Sequence, residues 1–350
     1  MNALEQQLHY PLGDALPPAG HCIEVAPGVK WVRMGLPFVL NHINLWLLRD
    51  ELDGVQGWSI VDTCIHHDEA KAQWEQLFAT ALEGLPVLRV IATHMHPDHI
   101  GLADWLCTRW NVPLYISATD FMVAHRACEG DDAFVGELAV SFHAAHGLND
   151  AETARKLRER KPYFRTLVPS VPMQFRRLLD GGTLQIGAHR WRCISGYGHA
   201  PEHMALYCEV LGVLIGGDMM LPRISTNVSV HAQEPEADAL ALFLDSIDRF
   251  KALPEDTLVL PSHGKPFVGM HTRIQQLHDH HAERLSEVME ACTAKPCSAA
   301  DVLPVLFKRP LDFHQTTFAI GEAIAHLHTL WHRGDLRRQL DPDRVYRFGI

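Results

Sequence analysis

A chain of 350 residues with 47% hydrophobic and 21% charged side chains can bury a full core, which excludes a disordered or fibrous form. Its net charge of −11 repels polyphosphate, so nucleic acid is a disfavoured partner. No apolar run approaches membrane-spanning length and the start of the chain, Met1 to Gln7, lacks the basic and apolar parts of a leader, so a soluble cytoplasmic protein without a membrane partner is expected.

In chain order, short strands come first, over 28–33, 44–49 and 58–61, the last two separated by the turn residues Asp53-Gly54 and Gln56-Gly57 as in a hairpin. Helical spacing follows from Asp68 to Leu82, stopped by Gly84-Leu85-Pro86. The apolar run 87–92 reads as a buried parallel strand, and 113–117 as another. From 118 to about 170 the chain is mostly helical, and this insertion is either a lid or pocket wall or a solvated excursion. Strands return at 183–186, 190–194, 204–208, 213–217 and 257–260. Beyond about 267 come three helices, over 271–292, 298–307 and 316–331, and then a small hairpin, the outline of a winged helix. The expected organisation is a catalytic domain over 1–270 that carries the 118–170 insertion, and a winged-helix-like C-terminal domain over 271–350.

Eight cysteines are scattered without a CxxC pair, so neither a zinc ribbon nor a dense disulfide framework is expected, and the thiols read as reduced core residues. The chemistry gathers instead at Thr93-His94-Met95-His96-Pro97-Asp98-His99, an HxHxDH cluster directly after a buried strand. Helical spacing resumes at Ile100, which places the cluster in a strand-to-helix loop at the carboxyl edge of a sheet, where open α/β sheets hold their sites. Four further residues follow strand-like runs: Asp62, His199 in Gly-Tyr-Gly-His, Asp218, and His263 in Pro-Ser-His-Gly. Imidazole nitrogens and carboxylate oxygens are the donors that bind zinc and similar divalent ions. A lone His or Asp is ordinarily structural; the ordered set is what carries a metal reading.

Taken together these motifs resemble those of the metallo-β-lactamase-fold hydrolases, over roughly residues 25 to 270. The resemblance implies an α/β fold, an αββα sandwich with two metals at one edge. His94, His96 and His199 would hold the first metal, Asp98, His99 and His263 the second, and Asp218 would bridge them. Two dications, most readily zinc, with iron or manganese as alternatives, would lower the pKa of a shared water to give a bridging hydroxide, and Asp98 would also orient it in catalysis. Asp62 would fix a ligand histidine or cap a turn, and His203 would act as a donor behind the ligands or pack in the core. Tyr197 would line the pocket or merely pack; Arg223 would hold a substrate anion or a loop. A second histidine cluster, His278, His280 and His281, cannot reach one helix face together and reads as a solvated helix surface. Asn41 to Asn44 reads as a turn.

The expected reaction is hydrolysis of a small-molecule ester, thioester or lactone. A nuclease or phosphodiesterase is the alternative that a winged helix would favour, but residues 271–350 hold ten Lys plus Arg against ten Asp plus Glu, with no basic excess. A mononuclear iron persulfide dioxygenase would lack the second metal site that Asp98, His99 and His263 complete. A non-catalytic DNA-binding regulator would leave the ligand set without a purpose. The C-terminal helices, with an apolar stripe of Phe318, Ile320, Ile324, Leu327 and Leu330, are expected to pack on the catalytic domain or in a homodimer.

Overall fold

The computed structural model describes residues 3–130, 135–160 and 162–350. The chain divides into two compact units, Met1–Gly130 with Phe164–Thr226 and Ser246–Ile274, and Asp131–Tyr163 with Asn227–Asp245 and Gln275–Ile350.

In the first unit, one sheet is built from consecutive strands: β1 (Cys22–Ala26), β2 (Val29–Gly35), β3 (His42–Leu52), β4 (Val55–Val61), β5 (Val87–Ile91), β6 (Leu114–Ile116) and β7 (Phe175–Arg177). Pairing is antiparallel from β1 to β4 and parallel from β4 to β7. The hairpin between β3 and β4 turns at Asp53 and Gly54, both at positive φ (52° and 79°) as a two-residue connection requires. A second sheet holds β8 (Thr183–Ile186), β9 (His189–Gly196), β10 (His203–Cys208), β11 (Val213–Gly217) and β12 (Leu258–Pro261), in the order β12-β11-β10-β9-β8.

Alternation along the strands produces the layers. Val32, Met34, Ile43, Leu45 and Leu47 face one side of the first sheet and pack with Trp74, Leu77, Leu106 and Phe121 from helices Asp68–Thr80, Ala103–Trp110 and Ala118–Cys128. Their neighbours Val29, Trp31, Trp46 and Leu48 face the other side and meet Trp191, Cys193, Leu206 and Ile215 of the second sheet. All residues of β10 and β11 are buried, so the middle of the second sheet is covered on both faces. This is the expected αββα arrangement. A buried Asp50–Arg89 pair (Nε to Oδ2 2.8 Å, Nη2 to Oδ1 3.0 Å) completes its bonds with Ser59, Gly187 and the Gln185 carbonyl, so its charges are satisfied within the core.

β1 and β7 are the strands that the sequence pattern does not announce. β1 is a half-buried edge strand, and β7 is three residues long with two arginines, so neither shows a clear apolar period. The segment 118–170 is helical at Ala118–Cys128, Gly136–Ala145, Ala151–Glu159 and Tyr163–Leu167; its residues 131–134 and 161 lie outside the described ones.

In the second unit, helices Ala299–Leu306 and Phe313–His332 each begin with a capping box, set by Ser298 with Asp301 and by Asp312 with Gln315. A two-stranded ribbon of β13 (Arg337–Leu340) and β14 (Tyr346–Gly349) follows. Ile320, Ile324, Leu327 and Leu330 are buried as expected, whereas Phe318 is half-buried. His281 corrects the reading of a solvated histidine surface: it is buried, with Nδ1 3.3 Å from His326 Nε2, because the 25-residue helix Met270–Ala294 packs more of its circumference than its polar sequence suggests. All eight cysteines are free thiols. No helix among the described residues is long and apolar enough to cross a membrane.

Candidate metal centre

Two pairs of parallel strands, β4 with β5 and β11 with β12, lead to one place. Asp62 follows β4, the HxHxDH loop follows β5, Asp218 follows β11, and the loop to His263 follows β12; His199 lies in the loop after β9. Backbone bonds lock these loops together: Asp62 N to Ile91 O (2.8 Å), Met204 N to Thr93 O (2.7 Å), Ser262 N to Gly217 O (3.2 Å) and Asn44 N to Ser262 O (2.7 Å). Asn44 is thus a buried strand residue, correcting the turn reading. Its side chain accepts from Trp31 Nε1 and donates to the Pro261 and Gly264 carbonyls, gripping the loop that carries His263. Gly101 lets the chain at Cys64 and Ile65 approach the short helix Pro97–Ile100; a Cβ there would stand 2.6 Å from Ile65 Cα.

All seven expected ligands converge in two groups, His94 with His96, His199 and Asp218, and Asp98 with His99 and His263, the offered atoms of each group lying within 4.8 Å of one another. In the first, His96 Nδ1 stands 2.9 Å from His94 Nε2 and 3.1 Å from His199 Nε2, and His199 Nε2 is 3.2 Å from Asp218 Oδ2. In the second, His263 Nε2 is 3.3 Å from Asp98 Oδ2 and His99 Nε2 is 3.7 Å from it. Asp218 also faces the second group, 3.4 Å from His263 Nε2 and 3.6 Å from His99 Nε2.

This spacing fits a cation. Ligands at 2.0–2.1 Å from a tetrahedral zinc stand roughly 3.3 Å from one another. Among the described residues, His99 Nε2 and Asp218 Oδ1 are buried without a hydrogen bond, as atoms reserved for another partner would be. The far nitrogens are engaged. His99 Nδ1 donates to Asp62 (2.8 Å), His263 Nδ1 donates to the His42 carbonyl (2.6 Å), and His94 Nδ1 donates to the Thr93 hydroxyl (3.1 Å), which itself donates to Asp62. Such bonds fix the tautomer and turn Nε2 toward the cluster.

Electrostatics agree with the geometry. Burial, aided by the neighbouring rings, drives His94 and His96 well below the ordinary histidine value, keeping their lone pairs available. Burial acts likewise on His99, but Asp62, Asp98 and Asp218 carry it well above that value; His263 is raised too, as Asp218 and Asp98 outweigh its burial. Burial would lift the two carboxylates, yet His99 and His263 hold Asp98 at about 2 and Asp218 well below the carboxylate range. Positive charge is favoured here, whether as protons or as a dication.

The other expected residues separate. Asp62 is buried and accepts from Thr93 N (2.7 Å) as well as from His99, so it orients a ligand and also ties down its loop. His203 reaches the site as a packed ring 5.0 Å from His94, with both nitrogens free of hydrogen bonds among the described residues and its pKa pushed down to about 3 by burial. Gly217, at φ 54°, makes room for it, since a Cβ would lie 2.1 Å from His203 Nε2. Tyr197 is half-buried, its N–H bonded to Ser246 Oγ (2.9 Å). Arg223 is exposed and lines a cleft that also reaches His263. Asp120 is the residue that sequence reasoning missed. Buried, with burial pushing it up to about 6, it accepts from Met95 N (2.8 Å) and Glu202 N (2.7 Å), bracing the two histidine loops. Its only local signal is the Ser117-x-x-Asp120 start of a helix.

Residues 40–263 match the metallo-beta-lactamase superfamily. The chain belongs to this superfamily. Residues 285–350 match the C-terminal domain described as metallo-beta-lactamase-like. A beta-lactamase domain protein from Burkholderia ambifaria is 54% identical over 99% of both chains, with a TM-score of 0.93. A metallo-beta-lactamase family protein from Thermus thermophilus is 30% identical, covering 93% of this chain and 99% of its own, with a TM-score of 0.74. The Bacillus subtilis (strain 168) protein described as probable metallo-hydrolase YqjP is 26% identical over 309 residues, 85% of this chain and 91% of that one. As a superfamily member with a His/Asp cluster that fits divalent metal, the protein is a metal-dependent hydrolase.

Proposed function

We propose that the protein is a dinuclear hydrolase, zinc being its native metal, that cleaves an ester, thioester or lactone of a small molecule in the cytoplasm. The convergence of His94, His96, His199 and Asp218 beside Asp98, His99 and His263, with Asp218 facing both groups, carries the reading. Two dications held by these residues would polarise the scissile carbonyl and make a water nucleophilic near neutral pH.

The chain's own residues supply the rest. Asp98 is partly exposed, 20% at its side chain, so an oxygen not turned to His263 can hold a hydrogen of the attacking water and orient it. Asp62 keeps His99 in one tautomer, and the His42 carbonyl does the same for His263. Asp120 fixes the spacing between the loops bearing His96 and His199 by holding the backbone at Met95 and Glu202. Carbonyl chemistry is favoured over a polyanionic nucleic acid by the net charge of −11.

Metal analysis of the purified protein together with a panel of aryl esters, thioesters, lactones and bis-aryl phosphodiesters tests this. Two metal ions per chain and turnover of the carbonyl substrates are expected. One ion per chain, or turnover confined to the phosphodiesters, would refute the dinuclear or the acyl part respectively.

A further inference from the structure

Beside His263 lies a cleft of about 750 Å³, a size suited to a small organic ligand. Val39, Leu40 and Ile224 give it apolar wall, and Arg33, Arg223 and Lys265 give it cations. Two of those cations already face carboxylates: Lys265 Nζ is 2.8 Å from Asp14, and Arg223 Nε is 3.9 Å from Glu5.

Arg33 differs from both. It projects from β2, half-buried, with Nη1 donating to the Gly264 carbonyl at 3.1 Å, and no carboxylate pairs with it among the described residues. Its neighbour His42 is engaged by the chain, Gly264 N donating to its Nε2 at 2.8 Å. The Tyr10 hydroxyl, in the same lining, is buried without a hydrogen bond among the described residues. A guanidinium taken partly out of water without a counter-ion is costly, and a planar fork with Nε and Nη2 to spare matches a carboxylate.

We infer that the Arg33 cleft binds a carboxylate carried by the substrate, so that the preferred substrates are acyl esters or thioesters bearing a free carboxylate a few bonds from the scissile carbonyl. This rests on the acyl-hydrolase reading above. One unpaired cation suits a monoanion; a phosphate dianion would also confront Asp14 and Glu5 in the same lining. The apolar wall suits a short hydrocarbon spacer. Gly264 links the subsite to the reaction, since its carbonyl holds Arg33 and the next residue back is His263.

The test compares mono-4-nitrophenyl adipate with 4-nitrophenyl hexanoate, which differ by the terminal carboxylate, and adds calorimetric titration of the metal-stripped protein with adipate. The native chain should favour the adipate ester, and Arg33→Gln should lower the adipate-to-hexanoate ratio of kcat/KM about 10- to 100-fold, chiefly through KM. Arg33→Lys, which keeps the charge and guards against a packing defect, should retain part of the preference. Adipate should bind the metal-stripped native protein more tightly than the Arg33→Gln protein. An unchanged ratio, or equal adipate binding by the two, overturns the assignment. If neither ester is turned over, the acyl-hydrolase reading fails, while the titration still decides whether Arg33 holds a carboxylate.

Discussion

Both units of this protein bury several histidines, yet among the described residues only one unit arranges them for metal. In the second unit, His143, His326 and His328 each place Nδ1 against a main-chain carbonyl, those of Ala139 (2.7 Å), Glu322 (2.8 Å) and Ala237 (3.0 Å). Burial lowers all three, and His146 with them, so they sit as neutral rings. In the first unit, Asp62, Asp98 and Asp218 are interleaved with the rings, and His99 and His263 are raised instead. Burial of imidazole is therefore no sign of a ligand. Interleaved carboxylates, with ring nitrogens meeting at about the ligand-to-ligand spacing of a metal, are.

The strongest way to break this contrast is to delete one side chain from each set of histidine surroundings. Asp218→Ala should reduce turnover by roughly a thousandfold or more, beyond the loss of a single oxyanion donor, and lower bound metal. His328→Ala should alter melting temperature but leave metal content and turnover per folded molecule in place. Equal turnover in the two variants would erase the distinction.

Asp62→Ala probes the carboxylate that stands one step behind the metal. Freed from Asp62, His99 loses its fixed orientation, and metal affinity should fall about 10- to 100-fold with the fold retained, as read by competition with a chromophoric chelator. A change in stability alone, with unaltered affinity, would reduce Asp62 to a loop tie.

A gentler test changes only the medium. His146, His326 and His328 have folded values of about 3, 4 and 4 against an ordinary 6.5. Their folded-state values are depressed, so the stability they contribute is present above 6.5 and lost as pH falls toward 4. Between pH 7 and 6 the loss is roughly 0.7 kcal/mol for each. Glu322 opposes it: burial raises that carboxyl to about 7 from 4.5, so its contribution is present below 4.5 and lost as pH rises through 7. Glu322→Gln should therefore steepen the decline in urea-unfolding free energy from pH 7 to 6, and an unaltered slope would show that these buried groups do not set it.

Much of the candidate site is legible in the sequence because each ligand closes an apolar run. A strand that ends at His94, Asp218 or His263 leaves a periodic signal just before the residue that matters. The supports leave none. Asp120 acts on Met95 and Glu202, residues 25 and 82 positions away, and nothing near it in sequence points to either. Asn44 and the His42 carbonyl serve a loop more than 200 positions later. His281 was equally hidden, since a 25-residue helix with many polar residues gives no hint of which arc is covered. Edge strands β1 and β7 lacked a period because neither has a fully buried residue to alternate with exposed ones, and β7 is only three residues long.

The Asp53-Gly54 turn lies at the opposite ends of β3 and β4 from Asn44 and Asp62, and both turn residues are exposed. A dye, a biotin or an affinity peptide grafted there would therefore hang from the rear of the first sheet. Molecules tethered to a sensor surface through that point would present their cleft outward, ready for screening ligands in flow.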